Sequence, residues 1–303
     1  MPPEAENLCP HPGRILFGND ARRTTRAGRR PITNLPLAIP LRTLYLPLML
    51  MVISPAKSLD FTAPDQVLPL TTPELKGRIG ELAKVTRKLT AADLRRLMHI
   101  SEKLAALNRE RFQAFDPEVE EGLQAVIAFN GDVYAGLAAR ELDRPALEWA
   151  QDHLRILSGL YGVLRPLDAL QPYRLEMGTR LKTKRGANLY DFWGETISKT
   201  LNDAAEGHAD RTLVNLASQE YFGAVDAKAL KLPVVTCHFK EEKAGMLKVL
   251  GFFAKKARGR MARYIIDNRV EHSKDLKTFD LDGYKFRPAL STDTDWVFAR
   301  PQP

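Results

Sequence analysis

The spacing of apolar and polar residues predicts alternating helices and strands from residue 49 onward. Short apolar runs typical of buried strands lie at residues 50–53, 124–129, 213–216, 234–239, 247–253 and 296–298. Amphipathic spacing or helix-start signals predict helices at residues 72–88, 101–115, 145–153, 189–205 and 255–269. Two further helices are predicted to begin after residues 90 and 131. Interleaving of this kind predicts a mixed α/β fold, with one central mixed sheet flanked by helices and no domain boundary after residue 49.

The first 48 residues lack this periodicity. They are rich in proline, arginine and small polar residues, which predicts a disordered N-terminal extension. They also hold seven arginines and three acids, so half of the chain's net charge of +8 lies in this segment. The rest of the chain is only mildly basic, and any nucleic-acid site there must depend on clustered cations.

Composition narrows the classes of function. A pI of about 9.4 favours a polyanionic partner. No apolar run reaches the roughly 18 residues of a transmembrane helix. Cys9 and Cys237 are the only cysteines, which argues against a structural disulfide and fits a reducing cytoplasm. The six histidines are scattered without metal-ligand spacing, so the sequence predicts no metal site and no cofactor.

The segment at residues 154–168 is the first candidate nucleic-acid site. Ser158, Gly159 and Gly162 interrupt an apolar run, and Arg165 follows them. Two glycines three residues apart permit a tight turn whose free backbone N–H groups can hold a phosphate. A helix-hairpin-helix element binds a nucleic-acid backbone in this way without reading bases. The alternative is a buried turn between two core elements.

The predicted helix at residues 255–269 is the second candidate. Beside its apolar stripe its first three turns carry Lys255, Lys256, Arg258, Arg260 and Arg263. Positions 256, 260 and 263 share one face, where like charges repel each other unless an anion lies against them. With Arg165 and the glycine turn they would form a cleft for DNA, and binding there would depend steeply on salt. The alternative is a solvated helix face balanced by acids elsewhere.

Polar residues that follow three predicted strands are the third candidate. Ser54 and Lys57 follow the first strand, Asp132 follows the second, and Glu220 follows the strand at 213–216. Ligands of α/β sheets bind at the carboxyl ends of strands, where these groups would converge. A hydroxyl, an ammonium and carboxylates are suited to nucleophilic and acid–base catalysis. The simpler interpretations are a chance Ser-x-x-Lys match and, for Asp132, a helix N-cap.

Six segments of the chain closely resemble the YaaA family of bacterial peroxide-stress proteins. They are residues 53–59, 128–137, 171–178, 189–194, 215–222 and 253–259. The resemblance runs from Met49 to about Phe298, although Asn130 and Gln219 depart from residues common in relatives. It implies a single-domain mixed α/β fold, a cytosolic role in surviving hydrogen peroxide by limiting free iron, and DNA binding through a helix-hairpin-helix and a basic cleft. Because it begins at Met49, we expect a start codon placed too far upstream rather than a transit peptide.

The favoured hypothesis is therefore a DNA-binding protein of the peroxide response. It would bind double-stranded or branched DNA through the phosphate backbone, with no membrane partner and no obligate protein partner. The alternative is an enzyme acting on a nucleotide, a modified base or another phosphorylated metabolite at the strand ends. Iron sequestration is a third hypothesis, but the sequence lacks a clustered ligand set, so any effect on iron would be indirect or act through protected DNA.

Overall fold

The computed structural model of the chain describes residues 49–64, 68–119 and 121–303. These residues belong to one compact unit. The predicted disorder of residues 1–48 lies outside them. Within the described residues the strands are β1 (Leu50–Ile53), β2 (Ser58–Leu59), β3 (Leu123–Gln124), β4 (Phe129–Asn130), β5 (Leu154–Ser158), β6 (Gly162–Leu164), β7 (Ala169–Leu170), β8 (Leu213–Leu216), β9 (Val234–Lys243), β10 (Met246–Lys248), β11 (Lys285–Phe286) and β12 (Asp295–Pro301).

Helices connect these strands and cover the sheet. The α-helices are α1 (Lys76–Thr86), α2 (Ala91–Met98), α3 (Glu102–Ala114), α4 (Ala125–Ala128), α5 (Asp132–Leu137), α6 (Arg144–His153), α7 (Leu189–Trp193), α8 (Thr196–Ala204), α9 (Gln219–Phe222) and α10 (Gly251–Asn268). Short 3₁₀ helices lie at Ala139–Glu141, Ser273–Thr278, Leu281–Gly283 and Pro288–Leu290. No helix among the described residues is long and apolar enough to cross a membrane.

The central sheet is mixed, which confirms the predicted fold class. Its strand order is β11-β12-β9-β8-β1-β5-β6, with β10 paired to β9. The five strands β12, β9, β8, β1 and β5 are parallel, whereas β6, β10 and β11 are antiparallel additions. All four residues of β1 are buried, as expected of a central parallel strand that reads as a continuous apolar run.

The order of the parallel strands changes direction at β1. The chain first places β5 on one side of β1, then places β8 on the other side, and continues outward to β9 and β12. The carboxyl ends of β1, β5 and β8 therefore border a topological switch point, which is where open α/β sheets bind their ligands.

Helix α10 crosses α5 at very short range. A Cβ atom added at Gly259 would lie 1.8 Å from the carbonyl oxygen of Val133, and one added at Gly136 would lie 2.1 Å from that of Lys256. Glycine at both positions lets the two backbones touch. This contact packs the middle of α10 against α5.

Three predicted elements differ from the observed ones. The strand predicted at residues 124–129 is two short strands separated by the helical turn α4. Periodicity alone does not distinguish a short apolar strand from a short buried helix. The strand predicted at 247–253 ends at Lys248, and α10 already begins at Gly251. The helix predicted at 189–205 is broken into α7 and α8 by Gly194, whose φ of +47° lies in the left-handed region.

The sulfur-containing side chains of the described residues are mostly buried. Cys237 lies in β9, and burial raises the pKa of its thiol to about 12. Met246 is 58% exposed in β10. The other described methionines are all buried: Met49, Met51, Met98, Met177 and Met261.

Candidate functional sites

Polar side chains from three segments of the chain meet at the carboxyl ends of β1, β5 and β8. We call this group the strand-end cluster and define it as Ser54, Lys57, Glu176, Ser218 and Glu220. Hydrogen bonds connect these segments to one another. The short strands β2 and β4 pair beside the cluster. Of the residues expected to converge, Ser54, Lys57 and Glu220 lie in this cluster, whereas the carboxylate of Asp132 lies against Lys255. A catalytic role for any of them stays a prediction.

Two serines join the ends of β1 and β8. The backbone N–H of Ser218 donates to Ser54 Oγ at 2.8 Å, and Ser54 Oγ donates to Ser218 Oγ at 3.3 Å. The hydroxyl of Tyr134 donates to the carbonyl oxygen of Ser54 at 3.2 Å. Burial, with smaller effects of Tyr173 and Tyr221, raises the pKa of Tyr134 well above its usual value, so this hydroxyl stays protonated as a donor.

Lys57 and Arg174 share one carboxylate. Lys57 Nζ lies 2.6 Å from Glu176 Oε2, and Arg174 Nη2 donates to Glu176 Oε1 at 2.9 Å. Burial alone would raise the pKa of Glu176, but the hydrogen bonds from Lys57 and Arg174 outweigh it and lower the pKa overall. The three groups together carry one net positive charge at neutral pH.

Glu220 links the loop after β8 to the loop at residues 174–178. Its Oε1 accepts the backbone N–H of Gly178 at 3.0 Å, and its carbonyl oxygen accepts the hydroxyl of Tyr190 at 3.0 Å. Its neighbour Tyr221 is buried, and burial raises the pKa of that phenol. The carboxylate of Glu220 is half-buried at the edge of the cluster.

Asp132 does not act as the helix N-cap that the sequence predicts. Gly131 occupies the N-cap position of α5 without a side-chain hydrogen bond, and Asp132 is the first helical residue. The carboxylate of Asp132 instead lies 3.5 Å from Lys255 Nζ. The negative charge of Asp132, in the first turn of α5, also interacts favourably with the helix dipole.

Ser54 and Lys57 are each engaged by a different residue. The Ser54 hydroxyl bonds with Ser218, while the Lys57 ammonium bonds with Glu176. A serine nucleophile activated by lysine needs the two side chains within hydrogen-bond reach of each other. The cluster offers a cation, hydroxyl groups and a carboxylate oxygen to a ligand. Among the described residues, no group of three or more His, Cys, Asp or Glu side chains is placed to hold a metal ion.

The glycine turn at residues 154–168 is a β-hairpin in the core and not a helix-hairpin-helix. It consists of β5 and β6, and Ser158, Gly159 and Gly162 are all buried. Ser158 Oγ accepts the backbone N–H of Tyr161 at 3.0 Å and bonds with the hydroxyl of Tyr173 at 2.6 Å. This is the buried turn that the sequence left open as the alternative, and its tip is covered.

Neighbouring residues explain why this tip is closed to a phosphate. Trp193 Nε1 donates to the carbonyl oxygen of Gly159 at 3.1 Å, and its ring lies against Gly162. Arg165, expected to contact DNA, donates to Asp168 Oδ1 at 2.8 Å and to the carbonyl oxygen of Thr72 at 2.8 Å. These bonds hold its guanidinium within the fold.

Helix α10 carries the predicted cations, but acids of the same chain lie against most of them. Arg260 lies 3.5 Å from Asp282, and Arg263 donates to Asp267 at 2.8 Å. Lys255 contacts Asp132, as described above. Arg258 is largely buried near Cys237, and this burial lowers the pKa of its guanidinium. Lys256 is exposed. This arrangement corresponds to the balanced helix face that the sequence left as an alternative.

A helix pair with a short turn lies elsewhere, at α2 and α3. A capping box begins α2, since Thr90 Oγ1 accepts the N–H of Asp93 at 3.1 Å and Asp93 accepts that of Thr90. His99, with a φ of +52°, ends α2, and the Ser101 hydroxyl caps α3. Three residues therefore join two helices, and Arg95 and Lys103 are exposed on the pair.

A basic cleft of about 770 Å³ is lined by α1, by the two residues Lys88 and Leu89 that follow it, and by residues 183–185 and Phe192. Its charged lining consists of Lys84, Lys88, Lys184, Arg185 and Glu81. Arg185 holds Glu81 through two hydrogen bonds of 2.7 and 2.8 Å, which leaves three exposed lysines. The cations come from segments about a hundred residues apart, so no local sequence pattern could have identified this cleft.

The fold and the strand-end cluster define an α/β protein with a polar site at the switch point of its sheet. The family model described as peroxide stress protein YaaA matches residues 49–290, and the chain belongs to this family. It is 88% identical over 255 residues to a UPF0246 protein of Caulobacter vibrioides, covering 84% of this chain and 100% of that relative. UPF0246 proteins of Phenylobacterium zucineum and Maricaulis maris are 70% and 54% identical over 84% of this chain, covering 96% and 97% of their own lengths.

Proposed function

We propose that this YaaA-family protein binds the phosphate backbone of double-stranded or branched DNA through the basic cleft and the α2–α3 helix pair. The observation that carries the proposal is the concentration of Lys84, Lys88 and Lys184 in one cleft. Within the described ranges its acidic lining is Glu81, which Arg185 already holds. Unpaired lysines that line a cleft attract a polyanion and release its counterions on binding.

The helix pair supplies a second contact surface. A short turn between two helices places the first backbone N–H groups of α3 near solvent, and exposed Arg95 and Lys103 flank it. Such an element positions a protein on a DNA backbone without reading sequence. Family membership supplies the context of peroxide stress. In that context, bound DNA would be protected from iron-driven damage.

The test is a titration of the chain against labelled duplex and four-way-junction DNA across a salt series. Substituting Lys84→Ala, Lys88→Ala and Lys184→Ala together should weaken binding and reduce the slope of log K against log salt by about 0.9 per lost phosphate contact. The matched control replaces three exposed lysines elsewhere, Lys228, Lys274 and Lys285. It removes the same charge and should keep the slope.

Two outcomes would overturn this assignment. Equal losses in the cleft variant and the control would mean that net charge alone drives association. A loss confined to a Lys255→Ala/Lys256→Ala variant would place the contact on α10 instead.

A further inference from the structure

The switch point of the sheet holds a polar cluster that DNA binding does not use. We propose that the strand-end cluster is a binding site for a small phosphate ester that also carries hydroxyl groups, such as a nucleotide or a sugar phosphate. This site is separate from the basic cleft, so the proposal stands or falls independently of DNA binding.

The cationic end of the site is Lys57. Its side chain is 60% exposed although its ammonium contacts Glu176. An ammonium has three donors, so a single carboxylate leaves donors for a phosphate oxygen. Arg174 holds the other oxygen of Glu176, and the three groups keep a net positive charge that a phosphate would neutralise.

The hydroxyl-recognising end is formed by Ser218 and Glu220. Ser218 accepts a hydrogen bond from Ser54 and keeps its own hydroxyl hydrogen, and it is half-buried. Only Oε1 of Glu220 is engaged among the described residues, by the N–H of Gly178. A carboxylate oxygen repels an anion but accepts hydrogen bonds from hydroxyls, as acidic residues do for ribose at the switch point of other α/β sheets.

The loops that carry these groups are held in place before a ligand arrives. The Ser54–Ser218 bonds join the ends of β1 and β8, and the Gly178–Glu220 bond joins the latter to the loop at 174–178. Tyr134 supports the loop after β1 from below. Groups fixed in this way lose little conformational freedom on binding.

The experiment measures binding of AMP, ribose 5-phosphate, inorganic phosphate and adenosine to the full chain, by calorimetry and by the shift of Tm. AMP and ribose 5-phosphate are expected to bind, and Lys57→Ala to weaken both by roughly tenfold to a hundredfold. Glu220→Gln should weaken ribose 5-phosphate while leaving inorganic phosphate unchanged. Lys199→Ala is the matched control, because Lys199 is an equally exposed lysine paired with Glu195 at 2.7 Å.

Three results would overturn the proposal. These are no binding of any probe at millimolar concentration, equal effects of Lys57→Ala and Lys199→Ala, or inorganic phosphate binding as tightly as ribose 5-phosphate. The last would leave an anion site without hydroxyl recognition. Unfolding of each variant in urea verifies that Lys57→Ala retains the fold, and its duplex DNA affinity should equal that of the parent.

Discussion

Replacing Gly162 with alanine tests whether the glycine turn serves the core or a ligand. Gly162 has a φ of +72°, which non-glycine residues rarely adopt. A Cβ atom there would lie 2.7 Å from the ring of Trp193 and 3.0 Å from Leu75. Both neighbours are packed against other buried side chains, so neither can move freely.

The magnitude follows from two costs. An L-residue in the left-handed region costs about 1–2 kcal/mol, and forcing a methyl group into a packed core costs about 1–3 kcal/mol. We expect Gly162→Ala to lower the free energy of unfolding by about 2–5 kcal/mol, a large fraction of the roughly 5–15 kcal/mol that holds a typical protein folded.

Urea denaturation followed by circular dichroism measures the effect. Gly77 is the matched control, because it lies in α1 with nothing within 4 Å of an added Cβ. Gly77→Ala should stabilise by about 0.5–1 kcal/mol, since alanine is the better helix former. If Gly162→Ala unfolds like the parent but loses DNA affinity, the turn contacts DNA and our account of its packing is wrong.

Three further predictions concern buried polar groups. Tyr284→Phe removes a hydroxyl that donates to the buried carboxylate of Glu241, and it should cost about 1.5–3 kcal/mol in urea unfolding; an unchanged midpoint would mean that water replaces the donor. Burial lowers the pKa of His208 from 6.5 to about 4, so protons favour the unfolded chain, and stability should fall as pH drops through that window. His208→Gln should flatten that part of the profile, and an unaltered profile would assign the dependence to other groups. In a Cys9→Ser chain, iodoacetamide should label Cys237 only as fast as the protein unfolds, because the thiol is buried and its raised pKa keeps it protonated; rapid labelling would show that β9 opens locally.

The sequence predicted the features that depend on interactions between residues a few positions apart. The continuous apolar run of β1, the capping box of Thr90 and the apolar stripe of α10 are encoded within a few residues, and all are present in the structure. The same holds for the polar residues after β1 and β8, because the carboxyl ends of neighbouring parallel strands must share one edge.

Features that depend on long-range packing could not be predicted. A Gly-x-x-Gly turn has the same sequence whether its tip meets solvent or Trp193, and only the tertiary fold brings Trp193 there. The charges of α10 are balanced by Asp282 and Asp132, which are distant in sequence, so the repulsion expected from the helix alone is relieved. Likewise Glu176 joins the strand-end cluster through Lys57, more than a hundred residues away.

The burial of the sulfur atoms affects how resistant the protein is to oxidation by hydrogen peroxide. Hydrogen peroxide attacks the thiolate form of cysteine and accessible thioethers, and the thiol of Cys237 is both covered and protonated. Among the methionines of the described residues, the exposed side chain of Met246 is the one open to conversion into a sulfoxide, at the tip of a hairpin away from the core. The folded core can thus persist through an oxidative burst with its packing chemically intact, a durability suited to a member of a peroxide stress family.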